Sequence, residues 1–220
     1  MTPRIILFDL DGTLIDSRRG IEHSLRLTLF AHDVVVSEEE DLSWCIGSSL
    51  WRIFENFLHT TDRHRLEGAV AMFRHIYRDG PMFEYTVYPG VIEALTQLHS
   101  QGIRLVLATA KAHEQAREVI VSTPFAYLLH HVYGSELNGT NVEKQDLIRH
   151  ILHTENIPAE QAIMVGDRHH DINGAVANGV AAIAVSYGYG TAEEHVHASA
   201  VINDAGLLVN TISNLSATQR

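Results

Sequence analysis

Arg4-Ile5-Ile6-Leu7-Phe8-Asp9-Leu10-Asp11-Gly12-Thr13-Leu14 is the stretch from which the rest of the chain is read. Its apolar run, bounded by Pro3 and by Asp11-Gly12, reads as a buried parallel strand ending at a turn. Open α/β sheets bind ligands at the carboxyl ends of their strands, so Asp9 and Asp11 fall at the expected crevice. Carboxylates at i and i+2, on a chain leaving the sheet, can aim into one cleft. Gly12 permits the tight exit. Taken alone, the same residues also fit an ordinary Asp-Gly turn.

Short apolar runs recur at 103–109, 162–165, 180–185 and 200–202, with a weaker one near 131–133. Helical patterns separate them, at 91–100, at 142–154 after a Thr140/Glu143 capping box, and at 171–178 before Gly179. Strand alternating with helix predicts an α/β fold with a Rossmann-like parallel sheet covered on both faces. Residues 17–86 break that rhythm. Ile21, Leu25 and Leu29, then Leu50, Ile53, Phe54 and Phe57, then Leu66, Val70, Phe73 and Tyr77 follow helical spacing. Ser37 with Glu40 offers a further capping box, and Val34-Val35-Val36 reads as a linker. The expected organisation is a core of 1–16 and 87–220 with a helical insert at 17–86.

Composition narrows the function classes. The 220 residues carry 27 acidic and 16 basic side chains, a net charge of −11. That balance argues against a nucleic acid polymer as partner, because phosphate backbones are held by clustered Lys and Arg. Cys45 is the single cysteine, so no intrachain disulfide forms, and no apolar run approaches a membrane span. The expectation is a cytoplasmic protein, monomer or homodimer, without a membrane partner. Fifteen His are present, yet no Cys/His spacing of the zinc type appears. The adjacent pairs His130-His131 and His169-His170 are expected to point apart. Only Lys111 and Lys144 among the basic residues are lysine.

A second acidic pair, Asp167 and Asp171, stands in Gly166-Asp167-Arg168-His169-His170-Asp171, again directly after a predicted strand. With the first motif, this pattern resembles the haloacid-dehalogenase superfamily of phosphohydrolases over nearly the whole chain. The resemblance implies Asp9 as the nucleophile that forms an aspartyl-phosphate, and Asp11 as acid/base. It implies a Mg²⁺ ion held by Asp9, the backbone carbonyl of Asp11, and Asp167, with Asp171 behind them or as an additional ligand. Thr109 and the Ala110 N–H would bind the phosphoryl group, with Lys144 touching both that group and the nucleophile. Lys111 is read as a rim or structural residue. The insert corresponds to the helical cap that selects the leaving group.

The substrate implied is a small phosphorylated metabolite. Gly134 to Gly139, the Gly166–Ala175 segment and Tyr187-Gly188-Tyr189-Gly190 resemble the 5′-nucleotidase-like and phosphoglycolate-phosphatase-like branch. A nucleoside 5′-monophosphate or a phosphoglycolate-like compound is expected. A β-phosphoglucomutase-like phosphotransferase and a phospho-acceptor signalling module are the alternatives. Receiver modules, however, lack both a long helical insert and an acid two residues past the phosphorylated Asp.

Overall fold

The computed structural model describes residues 3–136 and 143–218. Thr140, expected to cap a helix, and Leu137-Asn138-Gly139 lie outside the described residues. In chain order the elements are β1 (Ile5–Phe8), β2 (Ile15–Asp16), α1 (Arg18–Ala31), α2 (Leu50–Leu58), α3 (Arg63–Arg78), β3 (Thr86–Val87), α4 (Val91–Ser100) and β4 (Arg104–Ala112). They continue with α5 (His113–Ser122), β5 (His131–Ser135), α6 (Lys144–Glu155), β6 (Ala162–Gly166), α7 (His169–Ala177), β7 (Ala181–Val185), β8 (Ala200–Ile202) and α8 (Leu208–Thr218).

Six strands form one parallel sheet in the order β5-β4-β1-β6-β7-β8. From β1 the chain builds toward β4 and β5 on one side, then crosses to β6, β7 and β8 on the other. β1 therefore lies at the reversal of strand order, where such sheets open a crevice. Ile5, Leu7, Val106, Ala108 and Met164 pack with Leu147, Ile148 and Ile151 of α6 and Ile172 and Ala175 of α7. Ile6 and Phe8, one residue out of phase, are buried as completely. Burial on both faces is why these strands read as continuous apolar runs rather than alternating ones.

The chain divides into two compact units, Met1–Ile15 with Val87–Arg220, and Asp16–Thr86. In the second unit α1 buries Ile21, Leu25 and Leu29, and α3 buries Leu66, Val70, Phe73 and Tyr77. Asp62 caps α3 by accepting from the His64 and Arg65 amides. Gly20 packs against a backbone carbonyl, where a Cβ would stand 1.9 Å from the Pro81 oxygen.

Three local readings need correction. No helix starts at Ser37. The Arg26 guanidinium draws the carbonyls of Ser37 and Glu40 to itself at 2.5 and 2.9 Å, and the segment makes a turn. β4 does not end at Thr109 but runs to Ala112, with an irregular register between Ala108 and Ala112. Gly134 lets the backbones approach there, since a Cβ would stand 2.7 Å from the Lys111 carbonyl oxygen. Ser135 Oγ donates to the Ala110 carbonyl at 2.8 Å. α7 begins at His169, not at 171, which places Asp171 in its first turn. No helix among the described residues is long and apolar enough to cross a membrane.

Candidate active site

Neighbouring strands deliver the predicted residues to one end of the sheet. Asp9 follows β1, Thr109 lies in β4, and Asp167 follows β6. Asp9, Asp167 and Asp171 are buried, and each offers an oxygen within 4.8 Å of the other two. Lys144, at the N-terminus of α6, reaches into this group. Its Nζ donates to Asp9 Oδ1 at 2.8 Å and to the Ala108 carbonyl at 2.7 Å, and lies 2.7 Å from Asp171 Oδ1.

The electrostatics follow from burial. Loss of water pushes the Asp9 carboxyl up to about 7, against the pull of Lys144 and with that of Asp171. Burial, then Asp171 and Asp9, raise Asp167 well above the usual carboxylate range. Burial alone would lower Lys144, but Asp171 and Asp9 outweigh it and hold the ammonium above its ordinary range. One ammonium against three buried carboxylates leaves the group short of positive charge. A small oxygen-seeking divalent cation fits that deficit and this all-carboxylate donor set.

Asp11 is buried too, outside that group of three carboxylates but near enough to add to the rise of Asp9. Asp11 Oδ1 lies 3.1 Å from Lys111 Nζ, with both side chains at most 10% exposed. Lys111 is thus drawn inside, not left on the rim. Its place follows from the extension of β4, which the apolar run alone does not reveal. Thr109 is buried, and its hydroxyl oxygen accepts from the Lys111 amide at 3.2 Å. Ala110 sits beside it in the irregular part of β4, held through its carbonyl.

Backbone shape seats Asp167. Gly12, at φ +89°, takes the left-handed turn, and a Cβ there would stand 2.3 Å from Asp167 Oδ2. The Tyr189 amide donates to that oxygen at 2.8 Å. The Asp171 carboxylate accepts from the Arg168 amide at 3.2 Å, besides meeting Lys144.

In the sequence Glu194 carries no assigned role and His195, with the other histidines, reads as a surface or supporting residue; both hold the framework of the site. His195 is buried, with Nε2 2.6 Å from the Asp167 carbonyl, while Glu194 grips Arg168 and His169. Their only sequence signal is position, shortly after the Tyr-Gly-Tyr-Gly segment. His169 and His170 do not point apart. They occupy the first turn of α7 with ring centroids 3.8 Å apart, because neighbours on a helix do not alternate as on a strand. Cys45 is buried in the second unit, as expected of a small core side chain.

Comparisons with known proteins give the family. The chain is 40% identical over 189 residues to a 5′-nucleotidase of Pseudomonas aeruginosa, covering 86% of this chain and 85% of that one. It is 31% identical over 197 residues to tyrosine-protein kinase PtkA of Mycobacterium tuberculosis, covering 87% of this chain and 65% of that one. A crystal structure of a predicted phosphatase from Clostridium acetobutylicum superposes with a TM-score of 0.92. It is 32% identical, and the match covers 97% of this chain and all of that one. The family described as haloacid dehalogenase-like hydrolase matches residues 6–185, and this chain is a member of that family, an enzyme of its phosphatase kind.

Proposed function

We propose that the protein is a Mg²⁺-dependent phosphomonoesterase acting on a small phosphorylated metabolite through an aspartyl-phosphate at Asp9. The observation that carries this is the Lys144 ammonium held between Asp9 and Asp171 inside a buried carboxylate cluster. An Asp9 oxygen attacks phosphorus in line, and the bond from phosphorus to the leaving oxygen breaks. Asp11 gives its proton to that oxygen. It then takes a proton from the water that attacks the phosphoryl group, and the Asp9–phosphorus bond breaks. Lys144 offsets the charge gathering on the phosphoryl oxygens, with the Thr109 hydroxyl and Ala110 N–H as further donors. When bound, Mg²⁺ supplies charge neutralisation and substrate alignment. Asp9, Asp167 and the Asp11 carbonyl would hold it, with Asp171 adjoining.

The substrate we favour is a nucleoside 5′-monophosphate, supported by the 40% identity to a protein named for that activity. The insert at 17–86 would choose the leaving group, and the protein would work in the cytoplasm. Phosphate release with Mg²⁺ across 5′-nucleotides, phosphoglycolate, sugar phosphates and p-nitrophenyl phosphate tests the proposal. Preference for 5′-nucleotides is expected, whereas equal turnover of every ester would remove the nucleotide assignment. The likeness to PtkA favours a second reading, transfer of the phosphoryl group to a protein tyrosine. Label from the phosphoenzyme appearing on a tyrosine peptide faster than in free phosphate would establish that reading instead.

A further inference from the structure

Only Asp167 and Arg168 connect β6 to α7. Asp167, on this connection, must hold its carboxylate within 4.8 Å of those of Asp9 and Asp171 for the three donors to meet. The segment 187–195 holds the connection in place. Beyond the Tyr189 amide on Asp167 Oδ2, Glu194 and His195 hold the backbone from a single 3-10 turn, Ala192–His195. His195 Nε2–H donates to the Asp167 carbonyl at 2.6 Å. Glu194 Oε2 accepts from Arg168 Nε at 2.9 Å, from the His169 amide at 2.9 Å and from His169 Nδ1 at 2.7 Å. Gly190 closes the gap, for a Cβ there would stand 1.8 Å from the Asp167 carbonyl oxygen. Neither Glu194 nor His195 belongs to the carboxylate cluster.

We propose that Glu194 and His195 are positioning residues that pre-organise Asp167 for a divalent cation, so that metal affinity depends on a turn that supplies no ligand. The inference rests on the metal-dependent reading above and extends it to groups outside the donor set. A pre-formed donor set binds tighter because the cost of gathering like charges is met during folding. Burial works against the Glu194 charge, but the bonds from Arg168 and His169 bring its carboxyl down to about 2, so the clamp stays ionised near neutral pH.

A purely structural turn would lower stability without changing what the metal sees. Substrate-free protein is therefore titrated with Mn²⁺, and free Mn²⁺ is read by electron paramagnetic resonance. Glu194→Gln and His195→Phe should each weaken Mn²⁺ binding about 10- to 100-fold and shrink the rise in Tm that the metal produces. His195→Gln, which restores an N–H donor, should recover much of the affinity and serves if Glu194→Gln does not fold. Glu155→Gln removes a buried ion-pair partner at the other end of the sheet. It should lower the Tm yet leave Mn²⁺ affinity as in the wild type. Wild-type affinity in both clamp variants, or equal weakening in Glu155→Gln, would overturn the clamp alone. A wild-type protein that binds no Mn²⁺ would overturn the metal-dependent reading with it.

Discussion

Lys144 is the residue whose loss the site tolerates least. Its ammonium meets Asp9, Asp171 and a backbone carbonyl from a buried position. Lys144→Met should leave those carboxylates without a counter-charge and cost about 3–5 kcal/mol of stability in metal-free protein, measured by urea unfolding. Unchanged stability would mean that the carboxylates are neutral or otherwise compensated. Asp9→Asn should fold and bind substrate but form no phosphoenzyme, which intact-mass spectrometry after a substrate pulse checks. Asp11→Asn should slow turnover ~10²–10⁴-fold on alkyl phosphates and much less on p-nitrophenyl phosphate, whose leaving group needs no proton. Equal losses on both esters would contradict the acid role.

Elements set where these residues stand. α6 and α7 approach closely at Gly174, where a Cβ would lie 3.0 Å from the Gln145 nitrogen and 3.2 Å from Lys144 Cβ. Gly174→Val should cost about 1–3 kcal/mol by overpacking, and should lower kcat beyond that by displacing Lys144. Thermal unfolding and steady-state kinetics on one preparation check both. At the opposite end of the same helix, Glu155 accepts from Tyr133 at 2.6 Å and pairs with Arg104 at 2.7 Å and His131 at 2.5 Å. Burial pushes the Glu155 carboxyl up, but the bonds from Tyr133 and His131 outweigh it and hold it below its ordinary value. A lowered carboxyl contributes stability above the unfolded value near 4.5, and that contribution fades as pH falls through the folded one. Wild-type protein should therefore lose more stability between pH 6 and pH 3 than Glu155→Gln, compared by urea midpoints. Parallel losses would exclude Glu155 from the acid limb.

For the whole molecule, the two units suggest a separable division of labour. The chain passes between them within β2 and β3, which pair as a two-stranded sheet, so the ends of the insert lie side by side. Replacing residues 17–85 by a short Gly-Ser linker should leave a folded core that binds Mn²⁺ and hydrolyses p-nitrophenyl phosphate. Its preference among physiological esters should flatten, which the substrate panel reads directly. Preserved preference would place selectivity in the core.

The six core strands were legible in the sequence because parallel strands buried on both faces must be apolar throughout, and α4, α6 and α7 through their periodicity, whereas α5, α8 and the short β2 and β3 were not read. Asp9, Asp11 and Asp167 stood out because they follow predicted parallel strands, at whose carboxyl ends such sheets open a crevice, and Asp171 through the likeness to the family. Lys144 was legible through its likeness to the family, and the helix it begins was legible through periodicity. Other features depend on groups far apart in the chain. Lys111 meets Asp11 from the irregular part of β4, which Gly134 lets β5 approach. Glu194 and His195 reach Asp167 and its neighbours only when the segment after β7 folds back across the loop after β6. Local pattern records which face of an element is apolar, but distances between charges from separate strands exist only once the sheet is assembled. Burial within the assembled sheet, then the nearness of Lys144 and Asp171, sets the raised value of Asp9, and the meeting of three carboxylates leaves the cluster in need of a cation.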